Sequence, residues 1–169
     1  MMIRKIYFDM DGVLADFDRG ICELCGLEPR NQETADPAAD EIMWAAVREV
    51  DHFYDRLELM PGAEDMFRML FDKYGDCCEI LTGIPKPRHG ILTAGEDKTR
   101  WVRRLLSADI PMHIVYKEEK KNYCTGSDCI LIDDYSRNIK EWEKNGGTGI
   151  LHRSAEETIM KLKELGILS

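Results

Sequence analysis

The sequence lacks any long hydrophobic run. No apolar stretch approaches the roughly 18 consecutive residues that a membrane-spanning helix needs. Charged side chains between Arg4 and Asp11 interrupt what would have to be the apolar region of a signal peptide. We therefore expect a soluble, cytoplasmic chain without a membrane partner. Its 169 residues, 44% of them hydrophobic, suffice for one well-packed domain or for one domain with a small insertion.

An excess of positive charge is lacking as well. The formal net charge is −9 at pH 7, whereas proteins that bind nucleic-acid polymers usually present a basic face. A small phosphorylated ligand needs only local positive charge, and the stretch from Gly83 to Leu106 holds six basic residues against two acidic ones. Most of these basic residues are explained by a solvated helix face. The composition disfavours a nucleic-acid polymer as the partner.

Zinc-finger spacing is also lacking. Cys22 and Cys25 form one C-x-x-C pair, but they lie in a predicted helix and no second pair follows at the spacing of a finger. We therefore expect reduced structural thiols, which are usual in cytosolic proteins.

Short β-rich segments alternate with helical patterns along most of the chain. The predicted strands are residues 3–8, 79–82, 113–116, 130–133 and 149–151, and the predicted helices are residues 61–74, 96–107, 136–145 and 154–165. This alternation predicts an α/β fold, a doubly wound parallel sheet with helices on both faces.

One stretch breaks this alternation. Residues 18–59 have helical patterns and no convincing strand. An insertion directly after the first strand would lie above the carboxyl edge of the sheet, where open α/β sheets bind their ligands. We interpret residues 18–59 as a small helical cap on a core formed by residues 1–17 and 60–169. Residues 31–40, which are polar and include Pro37, are expected to form a loop within the cap.

Two carboxylates follow the first predicted strand. Asp9 and Asp11 project to the same side because alternate residues of a strand share a face, and Gly12 permits a sharp turn. Crowded carboxylates repel each other, and a hard cation such as Mg²⁺ would hold both near a phosphate. On its own this pair is explained equally well by a solvated acidic turn.

Polar residues also follow the other predicted strands. Thr82 and Gly83 end the second strand and offer a hydroxyl and a backbone N–H to phosphate oxygens. Asp133 and Asp134 end the fourth strand and bring carboxylates to the same edge of the sheet. Three lysines follow the third strand, and any of them could offset the charge of an aspartate and its phosphate: Lys117, Lys120 and Lys121. Together these groups predict a metal-assisted phosphoryl-transfer site.

Four motifs occur in order: Asp9-Met10-Asp11-Gly12-Val13, Leu81-Thr82-Gly83, Lys120, and Ile132-Asp133-Asp134. As a set spanning nearly the whole chain, they resemble the motifs of the haloacid dehalogenase-like phosphohydrolases, which have a Rossmann-like core. Longer segments at residues 9–17, 59–63, 98–102 and 131–134 resemble the 5′(3′)-deoxyribonucleotidase branch of that superfamily.

The resemblance implies a role for each acidic residue. Asp9 would attack phosphorus and form an aspartyl-phosphate, and Asp11 would protonate the leaving alkoxide and then activate water. Mg²⁺ would be held by the carboxylates of Asp9 and Asp133 and by the backbone carbonyl of Asp11. Asp134 would lie next to the ion or act through water, because adjacent strand residues face apart.

The resemblance also implies a phosphate-binding set. Thr82 and the Gly83 N–H would hold phosphate oxygens, and Lys120 would pair with the nucleophile and the phosphate. Lys121 is the rival for that role, because the sequence leaves the register of this loop open. Lys86 would lie near the phosphate or the sugar.

The cap would select the substrate. Its aromatic candidates are Trp44, Phe53 and Tyr54, joined by Phe17 just beyond the first motif. Aromatic stacking is worth about 1–3 kcal/mol per base, although the same side chains could instead form the core of the cap. His89 is expected to be a solvent-facing loop residue.

The leading hypothesis is a Mg²⁺-dependent phosphatase for a nucleoside monophosphate, with a deoxyribonucleotide as the expected substrate. A sugar phosphate or another small phosphomonoester is the nearest alternative. A phospho-accepting signalling receiver is an alternative of another class, against which Asp11 argues because it would hasten hydrolysis of a phosphorylated Asp9. The small cap leaves the site partly open, so a homo-oligomer remains an open alternative.

Overall fold

The computed structural model describes residues 2–28 and 36–169 of the chain. Five parallel strands form one sheet in the order β3-β2-β1-β4-β5. The strands are β1 Lys5–Phe8, β2 Cys78–Gly83, β3 Met112–Val115, β4 Cys129–Asp133 and β5 Thr148–Leu151. The predicted parallel α/β sheet is confirmed, and the predicted strands differ from the observed ones only at their ends.

The described residues form six α-helices: α1 Phe17–Cys25, α2 Pro37–Arg48, α3 Ala63–Tyr74, α4 Ala94–Leu105, α5 Ser136–Lys144 and α6 Ala155–Glu164. None of them is long and apolar enough to cross a membrane. The last four match the predicted helices, and α1 contains Cys22 and Cys25, which were also expected in a helix. The predicted loop over residues 31–40 is wrong from Pro37 onward, because the Asp36 side chain accepts a hydrogen bond from the Ala39 N–H at 3.2 Å and caps α2. Residues 31–35 lie outside the described residues.

Side chains of β1 alternate between two hydrophobic cores. Ile6 and Phe8 belong to the larger core, which includes Trp101 of α4 and side chains of α3 and α6. Tyr7 points to the opposite face, where Trp142 of α5 packs against it with ring centroids 5.5 Å apart. The sheet is therefore covered by helices on both faces, as predicted.

The order of the strands positions the site. β1 lies between β2 and β4, so the chain reverses its direction of progress across the sheet at this point. The carboxyl ends of these three neighbouring strands meet at one edge, which is where open α/β sheets bind ligands.

Helices α1 and α2 follow β1, and the chain returns to the core through a 3₁₀ helix, Phe53–Arg56. This return is attached to α4. Trp101 Nε1 donates to the Leu57 carbonyl at 2.7 Å, and His52 Nδ1 lies 2.8 Å from Asp97 Oδ1. The helical segment is thus held against the core, while its assignment as a separate cap of residues 18–59 stays a prediction.

Candidate active site

Asp9 and Asp133 lie side by side at the ends of β1 and β4, and one lysine joins them. Lys120 Nζ is 2.8 Å from Asp9 Oδ1 and 2.7 Å from Asp133 Oδ2. Burial alone would lower the pKa of Lys120, but the two carboxylates raise it above its usual value, so the ammonium stays charged. Lys120, and not Lys121, therefore contacts the predicted nucleophile; the backbone carbonyl of Lys121 accepts a hydrogen bond from Asn145.

A third carboxyl group completes an acidic cluster. Carboxylate oxygens of Asp9, Asp133 and Asp134 lie within 4.8 Å of one another. β4 ends at Asp133, so the alternation of a strand no longer forces the next side chain to the opposite face. Burial, together with the charges of Asp9 and Asp133, raises the pKa of Asp134 to about 9. Three close carboxyl groups of this kind fit a hard divalent cation, which is bound by oxygen ligands.

Gly12 makes the position of Asp134 possible. Its φ is 80°, a left-handed conformation that residues with a Cβ rarely adopt. A Cβ atom at Gly12 would also lie 2.1 Å from Asp134 Oδ2, far inside van der Waals contact. The turn predicted from this glycine is present, and the missing side chain leaves room for the acidic cluster.

Asp11 points to a different partner. Its Oδ2 atom accepts a hydrogen bond from Lys98 Nζ at 2.9 Å, while its Oδ1 atom is buried and has no hydrogen-bond partner among the described residues. Lys98 is only 1% exposed and also donates to Thr82 Oγ1 at 3.0 Å and to the Gly83 carbonyl at 2.6 Å. Asp11 is thus held at the site but apart from the three clustered carboxylates.

Lys98 was not identified as a site residue from the sequence. A signal was present, because Lys98 lies three and four residues before Trp101 and Val102 and so shares their buried face of α4. A lysine on an apolar helical face needs an acceptor inside the protein, but the sequence does not show which acceptor it meets.

The predicted phosphate-binding residues lie in different environments. Gly83 lines the cavity above the acidic cluster, whereas Thr82 is fully buried and is not among the lining residues. Lys86 also lines the cavity, but its ammonium is bound by the Glu118 carboxylate and lies 4.0 Å from the centroid of the Tyr116 ring. The phosphate-binding roles of these residues stay predictions.

A cavity of about 530 Å³ lies between the sheet edge and helices α1 and α2, and both Asp9 and Asp11 line it. Phe17 and Tyr54 form part of its wall, with ring centroids 6.0 Å apart and an angle of 16° between the rings. Phe53 is 6% exposed, is not among the lining residues, and packs edge-on against both of these rings. Of the four aromatic candidates, Phe53 is the one that does not line the cavity, and Tyr54, at 2% exposed, is buried in the same core.

Trp44, the fourth aromatic candidate, lines the cavity and stacks on His89, with ring centroids 4.7 Å apart. His89, expected to face solvent, is partly exposed, and one face of its ring is covered by Trp44. Arg48 Nη1 also donates to the His89 carbonyl at 2.9 Å. Burial, followed by the charge of Arg88, lowers the pKa of His89, which favours the neutral ring. These contacts join α2 to the loop after β2.

No protein-family model and no curated relative matches the chain. Solved structures do match it. A HAD family hydrolase from Deinococcus radiodurans R1, with bound phosphate and sodium, is 14% identical and has a TM-score of 0.57 over 99% of this chain and 98% of that one. The HAD-hydrolase YfnB from Bacillus subtilis, bound to magnesium, is 15% identical, with a TM-score of 0.55 over 96% and 99% of the two chains.

An L-2-haloacid dehalogenase from Xanthobacter autotrophicus, with chloropropionic acid covalently bound, is 11% identical, with a TM-score of 0.52 over 99% of this chain and 85% of that one. At these identities the likeness shows the fold alone. The chain has the fold of the haloacid dehalogenase-like hydrolases, and this fold serves more than one reaction.

Proposed function

We propose that the protein is a Mg²⁺-dependent phosphatase that hydrolyses a nucleoside monophosphate, with a deoxyribonucleotide as the expected substrate. The observation that carries the proposal is the separation of two kinds of carboxyl group in one cavity. Asp9, Asp133 and Asp134 form a cluster suited to a cation, while Asp11 is held apart by Lys98.

Asp9 is the nucleophile in this proposal. Its carboxylate attacks phosphorus, the bond from phosphorus to the ester oxygen breaks, and an aspartyl-phosphate forms. Lys120 holds Asp9 Oδ1 at 2.8 Å and offsets negative charge beside the phosphoryl group. When bound by Asp9, Asp133 and Asp134, Mg²⁺ supplies Lewis-acid polarisation and charge neutralisation.

Asp11 transfers the protons. It gives a proton to the leaving alkoxide in the first step, and in the second it takes one from the water that attacks the aspartyl-phosphate and releases inorganic phosphate. Lys98 fixes the direction of the Asp11 carboxylate by a contact of 2.9 Å.

Asp11 also favours a phosphate ester over a halogenated substrate. A halide leaves as a weakly basic anion and needs no proton, whereas an alkoxide is a poor leaving group unless it is protonated. Displacement of a halide by a carboxylate likewise does not require the cation that three clustered acidic groups would bind. A stable phosphorylated receiver is disfavoured because a second acid at the site would promote hydrolysis of the phosphorylated Asp9.

The cavity supports a nucleoside as the leaving group. Its volume of about 530 Å³ lies within the usual range of small-molecule sites. The rings of Phe17 and Trp44 in its wall could stack on a flat base, and the buried Tyr54 ring supports that of Phe17. Asp18 and Asp40 line the same cavity, and carboxylates accept hydrogen bonds from sugar hydroxyls. Sugar phosphates are therefore the second candidate class.

The test is release of phosphate from deoxyribonucleoside and ribonucleoside monophosphates, sugar phosphates and an aryl phosphate, with Mg²⁺ or with a chelator. Halide release from a 2-haloacid is measured beside them. Asp9→Asn should abolish turnover, whereas Asp65→Asn, at an exposed position of α3, is the matched control. Turnover of deoxyribonucleotides only with Mg²⁺ would support the proposal. Turnover confined to sugar phosphates would contradict the nucleotide assignment, and halide release without phosphate release would contradict the phosphatase assignment.

A further inference from the structure

The short helix that carries Lys120 presents a second lysine in the same direction. Residues Lys117–Tyr123 form a 3₁₀ helix, in which side chains three residues apart eclipse each other. Lys117 therefore projects from the same side of the helix as Lys120. It lies one turn, or about 6 Å, closer to the start of the helix. Both residues line the cavity.

The two lysines differ in their partners. Lys120 is buried between Asp9 and Asp133. Lys117 is exposed, and no carboxylate of the described residues forms an ion pair with it. Its Nζ atom lies 5.1 Å from the centroid of the Tyr135 ring. Tyr135 directly follows Asp133 and Asp134 in the sequence. Lys117 thus offers a positive charge that no ion pair among the described residues holds in place.

Lys117 also lies close to the expected position of the phosphate. A Cβ atom built on Gly83 would be 3.6 Å from both the backbone nitrogen and the Cβ of Lys117. Gly83 ends β2, which pairs with β1, and Gly83 and Lys117 line the same cavity as Asp9. The side chain of Lys117 extends toward Tyr135, at the end of β4.

The charges of the site leave a role for this lysine. The carboxyl groups of the site already face Lys98 and Lys120, and the cluster of three would take up a divalent cation. A phosphate monoester then adds up to two negative charges. Lys86, the other lysine of the cavity wall that was expected near phosphate, is paired with Glu118.

We propose that Lys117 is a phosphate-contacting residue whose ammonium leaves the Tyr135 ring to bind a non-bridging oxygen of the phosphoryl group. This inference rests on the proposed function and adds a residue that binds its substrate. Lys117 contributes mainly to binding, because it is exposed, whereas Lys120 is the lysine that contacts the attacking carboxylate.

Inorganic phosphate is the probe. Its affinity is measured by calorimetric titration into the full-length protein with saturating Mg²⁺, for the wild type and for Lys117→Gln, Lys117→Arg, Lys86→Gln and Lys121→Gln. Lys121 is the matched control, because it lies on the same 3₁₀ helix but its side chain points about 120° away from that of Lys120. Lys117→Gln should weaken phosphate binding roughly five- to twentyfold. Lys117→Arg should retain most of the affinity, and Lys121→Gln should stay within about twofold of the wild type. Lys86→Gln tests the competing lysine of the cavity wall and should cause a smaller loss than Lys117→Gln, because the Lys86 ammonium is paired with Glu118.

Steady-state kinetics gives a second readout. Lys117→Gln should raise KM for the preferred phosphomonoester by roughly the same factor while kcat changes by less than about threefold. Phosphate affinity within twofold of the wild type in Lys117→Gln, or a larger loss in Lys86→Gln, would overturn the inference while leaving the proposed function intact. Phosphate binding that depends on Lys117 in a protein without phosphatase turnover would support the inference and contradict the proposed function. A wild type that binds no phosphate would overturn the inference, and the turnover assay would then decide the proposed function alone.

Discussion

Lys98 Nζ lies 2.9 Å from Oδ2 of Asp11 and is almost completely removed from solvent. The same ammonium lies 4.7 Å from the centroid of the Tyr54 ring, which belongs to the segment returning from α2. One buried charge therefore connects the proposed acid and base of the core with an aromatic wall of the cavity. The orientation of Asp11 and the placement of this wall depend on the same side chain.

Lys98→Met should lower kcat for phosphate release by roughly 10- to 100-fold, because the Asp11 carboxylate loses the contact that orients it. The free energy of unfolding should fall by roughly 1–3 kcal/mol, since the acceptors of the ammonium lose their partner. Both effects can be followed by steady-state kinetics and urea unfolding. Lys98→Arg keeps the positive charge but replaces the compact ammonium with a larger group. Compared with Lys98→Met, it should therefore restore more of the stability than of kcat. An unchanged kcat in Lys98→Met would show that Asp11 needs no positioning by this lysine.

Gly12→Ala should damage both the turn and the acidic cluster. Gly166→Ala is the matched control, because Gly166 has a φ of 72° but nothing within 4 Å of an added Cβ, whereas at Gly12 the added atom meets Asp134 at 2.1 Å. Adopting positive φ should cost each variant about 1 kcal/mol of unfolding free energy. Gly12→Ala should in addition weaken Mg²⁺ binding by at least about tenfold, because Asp134 must move. Titration with Mg²⁺ and urea unfolding measure these effects, and equal Mg²⁺ affinity in both variants would contradict the importance of this close approach.

Much of the architecture could be predicted because each strand is short, apolar and followed by a polar group or turn. β1 and β4 are examples, since their buried runs end at Asp9 and Asp133 and their parallel pairing brings these acids together. The meeting of Asp9 and Asp133 therefore follows from local patterns and one rule about parallel sheets, whereas the position of Asp134 also depends on the end of β4 and on the close approach at Gly12.

Contacts between distant segments could not be predicted in the same way. The choice of Lys120 over Lys121 depends on the rotation of a 3₁₀ helix that the sequence pattern did not indicate. Likewise, the stacking of His89 on Trp44 joins two segments whose relative position only the folded chain defines. The start of α2 at Pro37 was missed for a local reason, because the polar residues around it were interpreted as a loop although Asp36 is a capping residue.

His152 should make the fold less stable in mild acid. The side chain is buried, and its Nδ1 atom lies 2.7 Å from Thr158 Oγ1. Burial, followed by the charges of Lys161 and Arg153, lowers the pKa of His152 to about 4. The unfolded chain has the ordinary pKa of about 6.5 and therefore binds more protons between pH 6.5 and 4. The contribution of neutral His152 to stability is fully present above about pH 6.5. It is lost as the pH falls toward 4, which lowers the free energy of unfolding by up to roughly 3 kcal/mol.

The measurement for His152 is urea unfolding between pH 7.5 and 4 in the presence of a chelator, for the wild type and for His152→Gln. Both proteins lose stability as their carboxyl groups titrate, so only the difference between their slopes reports His152. The variant should have the shallower decline in acid. Parallel curves would show that His152 has the same pKa in the folded and unfolded states.

Trp44→Ala should separate recognition of a base from recognition of a phosphate. Trp44 lines the cavity from α2, whereas the acidic cluster lies at the ends of β1 and β4, and the Trp44 ring could stack on a base. Its loss should raise KM for a deoxyribonucleoside monophosphate by roughly 5- to 100-fold, the equivalent of about 1–3 kcal/mol of stacking. KM for an aliphatic sugar phosphate should change by less than about threefold, because such a substrate has no flat ring.

Phe53→Leu is the comparison for Trp44→Ala, since Phe53 is buried behind Phe17 and Tyr54 rather than exposed to the cavity. It should lower the free energy of unfolding by about 1 kcal/mol without favouring one substrate class over the other. If Trp44→Ala raises KM for sugar phosphates and nucleotides equally, then Trp44 supports the shape of the cavity rather than binding a base. In that case the nucleotide assignment would have to depend on Phe17, whose ring lies nearly parallel to that of Tyr54 in the cavity wall.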